Sequence, residues 1–176
     1  MSYTVAPDYG LIIERMAEIL EADLTIFPVD PTLKLINKVY RFLPPIPENP
    51  DTGIGPPHAF ITTPERAVIG KEQHGRDTRD AKGIERQEIE FWIVIVTINT
   101  LTGKVGSEQD IYKIVSAVKT ALNKNIRLLD PATSLDSSRL ASTLECFDLP
   151  FMLNTEEKSL IARNVVVRIK ADTKFT

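Results

Sequence analysis

The segment QEIEFWIVIVTINT, residues 87–100, constrains the fold of this chain more than any other. Its polarity follows the period of a β-strand, in which successive side chains point to opposite faces. One face is apolar throughout and consists of Ile89, Phe91, Ile93 and Ile95. The other face is charged at its start and apolar later, with Glu88, Glu90, Trp92, Val94, Val96 and Ile98. Such a strand needs a hydrophobic layer over its apolar face, which other parts of the chain must supply.

Two amphipathic segments can form that layer. The first, DYGLIIERMAEILEADL, predicts a helix that Asp8 caps and whose buried face contains Ile12, Met16, Ile19 and Leu20. The second, SEQDIYKIVSAVKTALNKN, predicts a helix in which Ser107 and Asp110 form a start similar to a capping box. Its apolar stripe has helical spacing and consists of Ile111, Ile114, Val115, Val118 and Leu122.

Three further segments predict strands. HAFITTPERAVIG predicts a strand that is broken or bent at Pro64, and TLECFDLPFML predicts one that Pro150 places at an edge or a bulge. LIARNVVVRIKADTKF predicts the last strand, with Arg168 and Lys170 facing outward. Its inward residues are Ile161, Val165, Val167 and Ile169. The segment TLKLINKVYRFL fits both periods, and we expect irregular or mixed structure there.

These elements predict a single α+β domain over residues 1–176. We expect an antiparallel or mixed sheet with the two amphipathic helices packed on one face and a long charged hairpin loop beside it. Residues 44–57, PPIPENPDTGIGPP, predict an extended loop, because proline fixes φ and lacks an N–H group. Too little sequence precedes this loop for it to link two domains.

Composition restricts the functional classes. The chain has 176 residues, a net charge of -3 and one cysteine, so it offers no strong field for nucleic acid or an anionic membrane and no internal disulfide. The N-terminal sequence does not have the pattern of a signal peptide, and the longest apolar run, residues 91–96, is too short to cross a bilayer. We therefore expect neither a membrane partner nor specific nucleic-acid binding.

The residues with reactive side chains do not form a catalytic, cofactor or metal motif. The G-x-G of TGIGPPH is followed by prolines, which lack the N–H donors of a phosphate-binding loop. His58 and His74 lack partners at metal-ligand spacing, and we expect both to be ordinary loop residues. Cys146 lies between Glu145 and Phe147 in a predicted strand, where a small buried cysteine is common. We expect no enzyme activity, no cofactor and no metal.

The charged loop over residues 71–86 is the most informative polar feature. It is longer than a hairpin connection needs, and loops of this length are often functional. Its positive and negative residues are interleaved, which suits pairing with a copy of the same loop or with a neighbouring protein surface. The residues that we assign to an assembly interface are Arg76, Asp77, Arg79, Asp80, Lys82, Glu85, Arg86, Glu88 and Glu90.

The order of these segments resembles the tail terminator or tail completion proteins of long-tailed bacteriophages. The resemblance rests on the N-terminal helix LIIERMAEILEAD, the proline-rich approach to the first strand and the hairpin arm GKEQHGRDTRDAKGIER. It continues with the strand EIEFWIVIVTI, the helix GSEQDIYKIVSAVKTALNKN and the terminal strand ARNVVVRIKA. The chain is longer than small members of the family, with additional sequence at 31–57 and 127–154.

The resemblance implies a structural virion protein that is made in the host cytoplasm. It implies a self-assembled ring, commonly a hexamer, that caps the tail tube, stops its growth and joins the tail to the head. The implied partners are other copies of the chain, the tail tube protein and the connector or neck protein. Two other classes stay open: a small α+β ligand-binding domain or enzyme with a site near the loop 44–58, and a dimeric interaction module of the host.

Overall fold

The computed structural model describes residues 8–41, 57–62, 68–74, 84–98, 106–135, 139–149 and 160–174. It gives the backbone alone for 68–74, 84–87, 98, 106–110, 149, 160–162 and 171–174. The helices are α1, Tyr9–Ala22, and α2, Gly106–Lys124, with a short 3-10 helix at Pro31–Leu33. The strands are β1, Lys38–Tyr40; β2, His58–Thr62; β3, Val68–His74; β4, Ile84–Ile98; β5, Thr143–Leu149; and β6, Leu160–Lys174.

The strands form one mixed sheet in the order β1-β2-β4-β6-β5, with β3 paired to β4 as well. Strand β1 runs parallel to β2, and the other pairs are antiparallel. The backbone of β4 pairs with β6 along its whole length, from Ile84 opposite Lys174 to Ile98 opposite Leu160. Along its other edge, β4 pairs first with β3 and then with β2. The predicted α+β class is confirmed.

Both helices cover the same face of the sheet. The predicted apolar residues of β4, from Ile89 to Ile95 at every second position, are fully buried. The predicted stripes of α1 and α2 are buried in the same hydrophobic cluster. A fully buried side chain of this size contributes about 1.5–3 kcal/mol. The apolar faces that the strand and helix periods predict therefore form one hydrophobic core between the helices and the sheet.

The start of α1 is capped as predicted. The Asp8 carboxylate accepts a hydrogen bond from the backbone N–H of Leu11 at 3.0 Å, which satisfies one of the donors left open at a helix start. The start of α2 differs from the prediction. The helix begins at Gly106, so Ser107 lies inside its first turn instead of before it. The side chains of Ser107 and Asp110 are outside the described part of the structure.

Several predicted boundaries are corrected. The strand predicted to be broken or bent at Pro64 is divided into two strands, β2 and β3, which pair with different halves of β4. The segment predicted to be irregular or mixed contains the three residues of β1. The predicted charged loop is shorter than 71–86, because 71–74 belong to β3 and 84–86 to β4. Residues 75–83 lie outside the described residues, as do residues 44–56 of the predicted loop 44–57.

The two helices are antiparallel neighbours. The Arg15 guanidinium, near the middle of α1, donates to the backbone carbonyl of Leu128 just after the end of α2, with 3.5 Å between the heavy atoms. After the end of α1, Asp23 and Thr25 line a groove together with residues of α2 from Tyr112 to Thr120. Neither helix, as far as the structure describes them, is long and apolar enough to span a bilayer.

Candidate assembly surface

The structure describes the side chains of only two of the nine residues assigned to an assembly interface. Arg76, Asp77, Arg79, Asp80 and Lys82 lie outside the described residues. Glu85 and Arg86 lie on β4, where the backbone alone is described, opposite Thr173 and Asp172 of β6. Glu88 and Glu90 lie on the face of β4 that is turned away from the helices.

Glu88 and Glu90 share one arginine from the neighbouring strand. Arg168 is the cross-strand partner of Glu90. Its Nε atom lies 3.1 Å from Glu88 Oε1, and one of its terminal nitrogens lies 3.7 Å from Glu90 Oε2. The Nε–H group is buried and makes no hydrogen bond in the described structure, so the contact with Glu88 is an ion pair without good hydrogen-bond geometry. Both carboxylates thus have a cation inside their own chain, and their contact with a neighbouring subunit stays a prediction.

Aromatic rings complete this cluster. The indole Nε1–H of Trp92 donates to Glu90 Oε1 at 2.9 Å. The guanidinium carbon of Arg168 lies 5.2 Å from the ring centre of Phe147 on β5, a cation–π distance. The sequence does not predict Arg168, Trp92 and Phe147 as partners of the two glutamates, because their contacts depend on the register between three strands.

A second aromatic group lies at the β1–β2 edge. The rings of Tyr40 and Phe60 are stacked, with centroids 4.9 Å apart and an angle of 11° between the planes. The His58 ring meets Tyr40 edge-on at 5.4 Å, and the Lys38 ammonium lies 4.9 Å from the Tyr40 ring centre. His58 is the first residue of β2, so its predicted loop position is wrong. His74 is at the end of β3, where its side chain is not described.

Cys146 lies on the helix-covered side of β5 and packs against the core. Burial raises the pKa of its thiol to about 12; nearby Lys119 lowers the pKa, and Asp148 raises it. The nucleophilic form of cysteine is the thiolate, and this environment keeps the thiol protonated at neutral pH. The side chain therefore contributes to packing and has the wrong protonation state for a nucleophile.

The described residues form a groove between α2 and the turn that follows α1. Its volume is about 710 Å³, and Leu35, Tyr112 and Ala117 form much of its apolar wall. The turn beside it exposes three large apolar side chains, with exposed fractions of 70% for Leu24, 91% for Val29 and 64% for Leu33. Clustered exposed apolar residues mark interaction surfaces. The sequence does not predict this site, because the groove combines residues 23–35 with α2 and exists only in the folded chain.

The described side chains do not form a group of three or more histidine, cysteine, aspartate or glutamate residues that could hold a metal ion. The arrangement that they do form consists of charged and aromatic clusters on one face and an apolar groove on the other. No protein-family model matches this chain, and no curated protein matches its sequence.

Proposed function

We propose that this chain is a structural subunit of a phage tail, of the tail terminator or tail completion type. Copies of the chain form a ring, commonly a hexamer, at the head-proximal end of the tail. The ring stops the growth of the tube and joins the tail to the head or neck. The proposal rests on the resemblance in sequence order and on one structural observation, a β-ribbon that extends past the helices.

The ribbon consists of β3, residues 84–88 of β4 and residues 170–174 of β6. Among the described elements, β3 contacts β4 alone, and neither helix packs on it. The paired part of β3 has about six residues, so it is roughly 20 Å long. A ribbon of this size is marginal by itself, since a stable sheet needs a packed face. Contact with another subunit would supply that packing.

The sequence of the ribbon and its connection suits such a contact. Residues 71–86 contain interleaved acidic and basic residues, and exposed ion pairs contribute about 0–1 kcal/mol each. Pairs of this strength fix the orientation of subunits when several act together. They do so without a catalytic group or a cofactor, and we propose no enzyme activity. The partners of the surface are other copies of the chain, the tail tube protein and the connector or neck protein of the virion.

The proposal is tested by the size of the purified protein in solution. Sedimentation velocity over a wide concentration range should show a ring, or a monomer that associates into a ring as concentration rises. Negative-stain electron microscopy should show closed particles of a single subunit number. A protein that stays monomeric, or that stops at a dimer, at every concentration contradicts the proposal.

A ligand-binding domain is the second candidate, and the groove beside α2 favours it. A volume of about 710 Å³ is within the usual range of small-molecule sites. This groove is formed by residues 23–35 and α2, whereas the sequence favours a site near the loop 44–58, of which residues 44–56 lie outside the described part of the chain. A metabolite that raises the melting temperature of a monomer, and that loses this effect on Ala117→Trp, would support this candidate.

A further inference from the structure

We draw no further inference here: the strongest candidate, the apolar groove between α2 and residues 23–35, has one acidic and one basic side chain in its described lining, and nothing in the described structure shows what covers it.

Discussion

Arg168 holds the charged cluster on the open face of the sheet together. It is the cation that the structure places beside Glu88 and Glu90, and it also contacts the ring of Phe147. The exposed fraction is 36% for its side chain and 22% and 20% for the two glutamates. These groups are therefore partly desolvated, so the ion pairs matter more than pairs at the open surface.

Replacing Arg168 by methionine keeps the apolar stem and removes the charge. We expect Arg168→Met to lower the free energy of unfolding by about 1–2 kcal/mol, between the values for exposed and buried pairs. Urea denaturation measures the loss. Lys119→Met is the matched control, because its partner Asp148 is more exposed, and it should cost less. A smaller loss for Arg168→Met than for Lys119→Met would contradict the assigned role.

Cys146 should react slowly with alkylating reagents at neutral pH. Burial raises the pKa of its thiol to about 12, so the thiolate is scarce in the folded protein. Iodoacetamide labelling at pH 8, followed by mass spectrometry, should be far slower in buffer than in urea.

The raised pKa of the Cys146 thiol also means that the thiol stabilises the fold below its unfolded pKa, and that this contribution is lost as pH rises toward 12. The variant Cys146→Ala should therefore lose less stability above pH 9 than the wild type does.

Helix α2 shows what a periodic pattern can predict. Its apolar stripe is buried as the sequence predicts, and the exposed fraction of Ile114 is 2%. We expect Ile114→Ala to cost about 2–5 kcal/mol through lost burial and a residual cavity. Chemical denaturation of the monomer checks this value. Thr120→Ala on the exposed face is the control and should stay within about 0.5 kcal/mol; equal losses would mean that the helix packs through another face.

Most helices and strands could be predicted from the sequence, but the pairing of the strands with one another could not. The alternation of apolar side chains in β4 and the apolar stripe of α2 both follow local periods. The same residues are buried in the folded chain. The parallel pairing of β1 with β2 depends on long-range contacts, and no local pattern marks a strand of three residues. The burial of Asn164 within β6 could not be predicted from a local pattern either. Its side-chain oxygen has no hydrogen-bond partner in the described structure.

The candidate site was predictable only in part, for the same reason. The side of β4 that carries Glu88 and Glu90 follows from alternation. Their partner Arg168 lies far along the chain and reaches them through the β4–β6 register. The groove beside α2 combines a turn after α1 with the part of α2 from Tyr112 to Thr120, so it exists only after the two helices pack.

At the scale of the whole molecule, the protein has a packed body and a β-ribbon that the helices do not cover. The body contains the buried cluster between α1, α2 and the sheet. The ribbon joins β3 to the first part of β4 and the last part of β6 through backbone pairing. Elements with few packed contacts open at lower free energy than the core does. The body should therefore set the stability of the chain, and the ribbon can serve assembly with little effect on folding.

The charged segment that connects β3 to β4 allows the contribution of the ribbon to assembly to be measured apart from the stability of the body. Residues 75–83, GRDTRDAKG, contain five charged residues, and the strands on both sides are paired without them. A Gly/Ser sequence of the same nine residues should leave the free energy of unfolding within about 0.5 kcal/mol. It should weaken formation of the proposed ring about tenfold to a hundredfold, because the ring as proposed would lose several ion pairs of about 0–1 kcal/mol each at every contact. The control Arg76→Lys/Arg79→Lys keeps the charges and should assemble nearly as the wild type does. Sedimentation velocity and urea denaturation measure the two effects, and a Gly/Ser variant that forms normal rings would show that this segment only connects β3 to β4.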